Sequence, residues 1–192
     1  MSEVIFADNK QDYARDYELI KGRIYMMSRP LMNHVAIASN ANTIFSVFLK
    51  GSTCVSYPEP DVYLDDENNF IPDVVILCDR GKRKRRGIYG APDLVVEILS
   101  PSTAKRDNND KKDVYAMYGV REYWIIDPIA KAISVYRLND GSLELRAIYY
   151  YVPAEEVPEY PDDDQKSIVP SFTCGIFEDL VINLDDLFRN VE

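Results

Sequence analysis

The sequence predicts one domain of the α/β or α+β class. Residues 71–78 (IPDVVILC) and 92–99 (PDLVVEIL) are continuous apolar runs with β-branched residues, which are typical of buried strands. A helical segment at residues 107–118, closed by Gly119, separates them from a third apolar run at residues 122–126 (EYWII). Helices that lead into a central sheet with an interposed helix fit this class.

The elements before these strands follow from local patterns. Apolar residues recur at three- and four-residue steps through residues 31–49, which predicts a helix. Residues 1–10 look weakly ordered, so the single domain is expected to span residues 11–192. The shorter elements expected here are a helix at 12–20 that Lys21-Gly22 ends, and strands at 23–28, 53–57 and 61–64.

The elements after the third buried strand include a strong hairpin signal. Residues 132–138 and 143–150 flank Asn139-Asp140-Gly141, a turn sequence that joins antiparallel strands. Residues 153–165 are acidic and contain several prolines, which predicts a loop. Residues 184–188 predict a short amphipathic helix near the end of the chain.

The charge of the chain limits how it can bind nucleic acid. The formal net charge is −10, which argues against binding over the whole surface. The charge is uneven, however, because residues 82–112 carry a local excess of basic residues and residues 154–192 are strongly acidic. A local basic site therefore remains open, since charges act over a Debye length of about 8 to 10 Å.

No segment of the sequence indicates a membrane span or secretion. There is no run of about 18 apolar residues, and the N-terminus lacks the basic and apolar regions of a signal peptide. Cys54, Cys78 and Cys174 are odd in number, scattered and without a CxxC pair, which argues against zinc and fits a reducing cytosol. We therefore expect a cytoplasmic protein.

Two carboxylates within the apolar strands are the most informative residues. Asp73 lies in IPDVVILC and Glu97 in PDLVVEIL, and burying a carboxylate costs several kcal/mol unless it is paired, hydrogen-bonded or bound to a metal. An acid that reaches solvent or pairs with Lys or Arg would fit equally well. Two acids on neighbouring strands can also chelate Mg²⁺ or Mn²⁺, with Glu18 and Asp61 as further candidate ligands.

Hydroxyl and basic residues follow Glu97 directly. Ser100 and Ser102 lie in a turn that leads to a helix, where they either cap it or face a phosphate. Lys105, Arg106, Lys111 and Lys112 come next and are either a solvated helix face or phosphate contacts. The run from Lys82 to Arg86 has the same two interpretations.

Several common catalytic motifs are absent from the sequence. There is no GxGxxG, GxxxxGK[ST], GxSxG or HExxH. The only histidine is His34, which excludes a histidine-based metal cage, and a histidine on such a helix is usually a surface or satisfied core residue.

Around the carboxylates Asp73 and Glu97, the sequence resembles the Uma-two family of endonucleases, a branch of the restriction-endonuclease-like PD-(D/E)XK superfamily. The resemblance rests on YELIKGRIYMMS, the helix with His34, PDVVILCD, the run from Gly90 to Pro128, and INLDDLF. It covers roughly residues 16–188 and implies a restriction-endonuclease-like fold with a mixed central sheet flanked by helices. It also implies a divalent-metal site from Asp73 and Glu97, with Glu18 from the first helix and Asp61 at a family acidic position.

One position departs from the superfamily pattern. The superfamily has a lysine two residues after the second acid, where this chain has Leu99. The resemblance implies that Lys111, on the next helix, takes the place of that lysine. That lysine would stabilise charge on the scissile phosphate or orient the attacking water. Tyr115 and Trp124 also match the family, although core packing explains both.

The function that the resemblance implies is a Mg²⁺- or Mn²⁺-dependent DNA endonuclease. Its catalytic residues would be Asp73, Glu97, Lys111 and Glu18, and a metal-activated water would hydrolyse the phosphodiester. Ser100, Ser102, Lys105, Arg106 and Lys112 would contact DNA. A homodimer is a further expectation, since the superfamily often dimerises to cut two strands.

Two other functions stay open from the sequence. The first is a non-catalytic nucleic-acid or protein-binding module on the same fold, which intact Asp73 and Glu97 disfavour. The second is a carboxylate-pair hydrolase such as a glycosidase, which the basic residues after Glu97 and the single tryptophan disfavour.

Overall fold

The computed structural model describes residues 17–100 and 104–192, except for the side chain of Lys105. The region expected to be weakly ordered, residues 1–10, lies outside this part, and the domain boundary stays a prediction. The strands are Tyr17–Ile20 (β1), Arg23–Met26 (β2), Val55–Pro58 (β3), Val62–Tyr63 (β4), Asn69–Phe70 (β5), Val74–Leu77 (β6), Ile88–Tyr89 (β7), Leu94–Ile98 (β8), Glu122–Asp127 (β9), Ala132–Asn139 (β10), Ser142–Tyr150 (β11), Ser171–Thr173 (β12) and Val181–Asn183 (β13).

The helices are fewer than the strands, and one of them is much longer than the others. They are Met32–Phe48 (α1), Ala104–Arg106 (α2), Lys112–Tyr118 (α3), Asp162–Gln165 (α4) and Leu184–Leu187 (α5). A π-helical segment, Asp107–Lys111, connects α2 to α3, and short 3₁₀ turns occur at Arg80–Lys82 and Val157–Glu159. None of the helices within residues 17–100 and 104–192 is long and apolar enough to cross a bilayer.

The larger sheet has the strand order β11-β10-β9-β8-β6-β3. Strands β8 and β9 are parallel and the other neighbours are antiparallel, so the sheet is mixed as the resemblance implied. Every residue of β6 and β8 is buried, which explains why both read as continuous apolar runs. The predicted hairpin is β10–β11, and Asp140 and Gly141 at its turn both have positive φ.

The smaller sheet, β2-β1-β5-β4-β7, corrects the prediction of a first helix. Tyr17–Ile20 is a strand with alternating burial, and it pairs with β2 through a turn at which Lys21 and Gly22 have φ of 50° and 74°. The Lys21-Gly22 signal therefore marks a hairpin turn and not a helix end. Residues 12–16 of the predicted helix lie outside the described residues.

Helices cover the two faces of the larger sheet. Helix α1 packs Phe45 against Trp124 of β9, with ring centroids 5.5 Å apart. Helix α3 packs Tyr115 on the opposite face, against Tyr123 of β9 and Phe70 of β5. Because α3 follows the π-helical segment directly, this packing fixes the position of residues 107–111 against the ends of β6 and β8.

The cysteines are arranged differently from what their spacing suggested. Cys54 and Cys78 form a disulfide, while Cys174 is a buried free thiol. Cys54 precedes β3 and Cys78 follows β6, and the register pairs Val55 with Leu77, so the two cysteines are brought opposite each other. The odd count and scattered positions could not show this pair, because it depends on the strand register.

Candidate active site

Two adjacent antiparallel strands bring Asp73 and Glu97 to the same cavity. The register pairs Val74 of β6 with Val96 of β8, so Asp73 lies just before β6 across from Glu97. The backbone N–H of Ile98 donates a hydrogen bond to Asp73 Oδ2 at 2.6 Å. Both acids line a cavity of about 290 Å³, together with Glu18, His34, Ser100, Arg106, Asp107 and Lys111.

Lys111 lies at the centre of three carboxylates. Its Nζ is 2.7 Å from Glu18 Oε1 and 3.2 Å from both Glu97 Oε1 and Asp107 Oδ1. These four residues, which we call the buried charge cluster, are each at most 4 % exposed. Charges removed from water to this degree must compensate one another, so the positions of the four side chains depend on each other.

Further hydrogen bonds hold two of these carboxylates. The backbone N–H of Ile71 donates to Glu18 Oε1 at 3.0 Å. The Tyr115 hydroxyl donates to Glu97 Oε1 at 3.0 Å. Both acids are therefore fixed by a neutral donor as well as by the lysine ammonium, which is how a buried carboxylate is made tolerable.

The buried charge cluster holds more negative than positive charge. Burial alone would lower the pKa of Lys111, but Glu97, Glu18 and Asp107 together raise it well above its usual value. Burial raises the pKa of Glu97 well above its usual value, and the nearby Asp107 and Glu18 add to this while Lys111 opposes it. One ammonium cannot neutralise three carboxylates, so the metal-free cluster favours retention of a proton on Glu97.

Asp73 is oriented by the only histidine. The Nε2 atom of His34 lies 2.6 Å from Asp73 Oδ1, and both side chains are mostly buried. Burial opposes protonation of the ring, but the hydrogen bond and the charge of Asp73 raise the net pKa of His34. His34 lies in the first turn of α1, so the helix sets the direction of the Asp73 carboxylate.

The π-helical segment explains how Asp107 and Lys111 both enter the cluster. They are its first and last residues, and they form an i,i+4 ion pair inside the protein. Such segments are rare and occur frequently at functional sites. The Tyr123 hydroxyl donates to the backbone carbonyl of Asp107 at 3.0 Å, which ties the segment to β9.

The donor set fits a hard divalent cation. Among the described residues, no group of three or more His, Cys, Asp and Glu side chains forms a ready-made metal cage, since Lys111 draws three of the carboxylates toward itself. Mg²⁺, however, is usually bound by one or two carboxylates, with water and substrate phosphates as its other ligands. Asp73 and Glu97, which line one cavity from adjacent strands, supply that number.

The other predicted site residues lie at different places. Ser100 and Arg106 line the same cavity as Asp73, and the Arg106 guanidinium lies 4.8 Å from the ring centroid of Tyr25. Asp61 lines the neighbouring cavity instead. The Lys112 ammonium lies over the Tyr136 ring, 4.9 Å from its centroid. Ser102 and the side chain of Lys105 lie outside the described residues.

The structure adds three residues that the sequence did not single out for the site. These are His34, Asp107 and Tyr115, which contact Asp73, Lys111 and Glu97 respectively. The available signals were weak: a lone histidine, an acid four residues before Lys111, and a tyrosine that core packing explains. The structure also corrects the location of Glu18, which is on strand β1 and not on a helix.

Comparisons with known proteins agree with this fold. The model of the Uma2 family, described as "putative restriction endonuclease", matches residues 9–166. The uncharacterized protein slr1290 of Synechocystis sp. is 32% identical over 127 residues, which are 65% of this chain and 67% of that protein. A crystal structure of a putative nuclease of the DUF820 group from Anabaena variabilis has a TM-score of 0.68 at 22% identity, over 90% of this chain and 89% of that one.

The structural comparison shows the fold of the chain, and the family model shows the family to which it belongs. The mixed sheet with its flanking helices is the fold that this chain shares with the Anabaena variabilis neighbour. The chain belongs to the Uma2 family of putative restriction endonucleases, because the family model covers most of its length.

Proposed function

We propose that the protein is a divalent-metal-dependent endonuclease that hydrolyses phosphodiester bonds in DNA. One observation carries this proposal: Asp73 and Glu97 meet in one cavity, and Lys111 lies against Glu97 although Leu99 occupies the superfamily's lysine position. Family membership supports the reaction class. A homodimer in the cytoplasm remains our expectation for the working form, but the Cys54–Cys78 disulfide removes the cysteine pattern as an argument for a reducing compartment.

The residues of the proposed site have different roles in binding the metal ion and in placing charge around it. Asp73 and Glu97 would hold Mg²⁺ or Mn²⁺. When bound, the ion would lower the pKa of a water molecule and neutralise charge on the phosphodiester. Glu18 and Asp107 complete the negative charge around Lys111, whereas Asp61 lines the neighbouring cavity and would act from there.

Lys111 and His34 position the two acids. The Lys111 ammonium holds Glu97 Oε1 and Glu18 Oε1 in place, and it supplies positive charge beside the site where a scissile phosphate would lie. His34 and the Ile98 N–H fix the Asp73 carboxylate from two sides. Ser100 and Arg106 line the same cavity and would contact a bound phosphate there.

Cleavage of plasmid and single-stranded DNA tests the proposal. The purified protein is incubated at low salt with Mg²⁺, Mn²⁺ or EDTA, beside Asp73→Asn and the matched control Asp163→Asn, whose side chain is on the surface. We expect metal-dependent nicking by the wild type and the control, and none by Asp73→Asn. Cleavage that survives in Asp73→Asn would contradict the site. No cleavage of either substrate would favour the non-catalytic binding module.

A further inference from the structure

A second and larger cavity adjoins the candidate active site. Its volume is about 690 Å³, against about 290 Å³ for the first cavity. The two cavities share several lining residues, so they lie side by side in the protein. The shared lining residues are Met27, Ser28, Arg29, Pro30, Glu59 and Ile71.

One side of the second cavity is a turn of four consecutive cations. Arg83, Lys84, Arg85 and Arg86, which we call the basic turn, all line the cavity and are all exposed. Arg29 lines it from the segment between β2 and α1. Glu59 and Asp61 also line it, which leaves five cations against two carboxylates.

The main chain holds the basic turn in place. The N–H of Lys84 donates to the carbonyl of Gly87 at 2.8 Å, and the N–H of Ile88 donates to the carbonyl of Asp61 at 2.8 Å. Gly87 allows this approach, because a Cβ there would clash with the Asp61 carbonyl oxygen. The four cations are thus presented on a fixed backbone and not on a free loop, which lowers the ordering cost of binding.

The cations of the second cavity are available to a ligand. Within the part of the chain that the structure describes, Arg29 and the basic turn form no salt bridge within 4.0 Å. The guanidinium of Arg83 instead lies 5.9 Å from the ring centroid of Tyr57. Because the chain as a whole has a net charge of −10, this group of cations favours binding of a polyanion at this one position over attraction of anions to the whole surface.

We propose that the basic turn and Arg29 bind the phosphodiester backbone of the nucleic acid on one side of the scissile phosphate. This inference rests on the proposed function and adds where the substrate runs: from the buried charge cluster, past the shared lining residues, into the second cavity. The contact is with phosphates and is therefore independent of base sequence. It explains how an acidic protein binds DNA through a local surface.

Equilibrium binding with a matched pair of double variants tests this inference. Fluorescence anisotropy of labelled single-stranded and duplex DNA is measured in EDTA, so that the proposed metal-dependent cleavage does not interfere. The variant Arg85→Gln/Arg86→Gln is compared with Arg146→Gln/Lys166→Gln, which also removes two charges. Arg146 and Lys166 are on the surface in salt bridges with Glu144 and Asp163 and outside both cavities.

The two double variants are expected to behave differently. The basic-turn variant should bind about tenfold or more weakly at low salt, and the slope of log affinity against log salt should fall by about 1 to 2. The control should change affinity less than about twofold. Equal effects of the two variants, no effect of the basic-turn variant, or no DNA binding by the wild type would overturn the inference.

The proposed function can fail separately from this inference. If the wild type binds DNA through the basic turn but never cleaves it with Mg²⁺ or Mn²⁺, the nuclease proposal fails and the binding surface stands. If the wild type cleaves DNA and the basic-turn variant binds and cleaves as well as the control, the surface is wrong and the nuclease proposal stands.

Discussion

The two adjoining cavities use charge in opposite ways. In the first, Lys111 and its three carboxylates are almost fully buried and form ion pairs with one another. In the second, the basic turn is exposed and, within the described residues, has no carboxylate partner within 4.0 Å. Buried charges fix geometry because each depends on its partners. Exposed unpaired cations remain free to neutralise a ligand.

This difference assigns the two cavities different tasks and different sensitivities. Changes in the buried charge cluster should affect folding and the reaction, because removing one charge leaves others uncompensated in the interior. Changes in the basic turn should affect binding and its salt dependence while the fold is retained.

Removal of the central lysine should have the largest effect. Lys111→Met leaves Glu18, Glu97 and Asp107 without their cation, and we expect a loss of about 3 to 5 kcal/mol in the free energy of unfolding. Urea unfolding in EDTA measures it, with Lys112→Met as the control, since the neighbouring ammonium lies over Tyr136. A loss below about 1 kcal/mol for Lys111→Met would show that the cluster is not held by this charge.

Neutralising the second acid should mainly affect the reaction. Glu97→Gln keeps the shape of the side chain and removes the charge proposed to bind the metal. We expect cleavage to fall by about two orders of magnitude, or about 2.7 kcal/mol in the activation barrier. The rate of plasmid nicking measures this, with the surface variant Glu178→Gln as the control. Nicking at the wild-type rate would remove Glu97 from the mechanism.

The histidine that orients Asp73 should have a smaller effect. His34→Ala removes the hydrogen bond to Asp73 Oδ1, and loss of such a partner of a metal ligand typically costs about 10- to 100-fold in metal affinity or activity. Mn²⁺ affinity measures the change, and His34→Gln, which can still donate a hydrogen bond, should recover part of it. If the alanine variant binds Mn²⁺ as the wild type does, His34 does not orient the acid.

The pH dependence of stability should show the smallest effect. Burial raises the pKa of Glu97 in the folded protein above its value in the unfolded chain. Its contribution to stability is therefore present below the ordinary carboxylate pKa of about 4.3 and is lost as the pH rises through the raised value. Glu97→Gln cannot lose a proton, so its stability relative to the wild type should increase with pH. A constant difference from acidic to neutral pH would contradict the shift.

Much of the fold could be predicted where a pattern extended over many residues. The helix at residues 31–49 is observed as Met32–Phe48, and the hairpin around Asn139-Asp140-Gly141 is observed as β10–β11. The two buried strands were marked by apolar runs with a carboxylate in each. The two-residue strands β5 and β7 were not predicted, because their pairing depends on distant partners and not on local sequence.

The candidate site was only partly predictable for a related reason. Asp73 and Glu97 stood out, since an acid in an apolar strand needs a partner. Asp107 did not, because its role depends on a π-helical segment that turns it and Lys111 to the same interior point. Glu18 was assigned to a helix, because the alternation of a four-residue strand is too short to outweigh a stop signal at Lys21-Gly22.

Binding of Mn²⁺ to the metal-free protein is the most direct measure of whether Asp73 and Glu97 hold a metal ion. Isothermal titration is carried out on the wild type, Asp73→Asn and the surface control Asp163→Asn. We expect the wild type and the control to bind Mn²⁺ alike, and Asp73→Asn to bind it about tenfold or more weakly. Equal Mn²⁺ affinity in all three proteins would contradict the proposal that Asp73 helps to hold the metal.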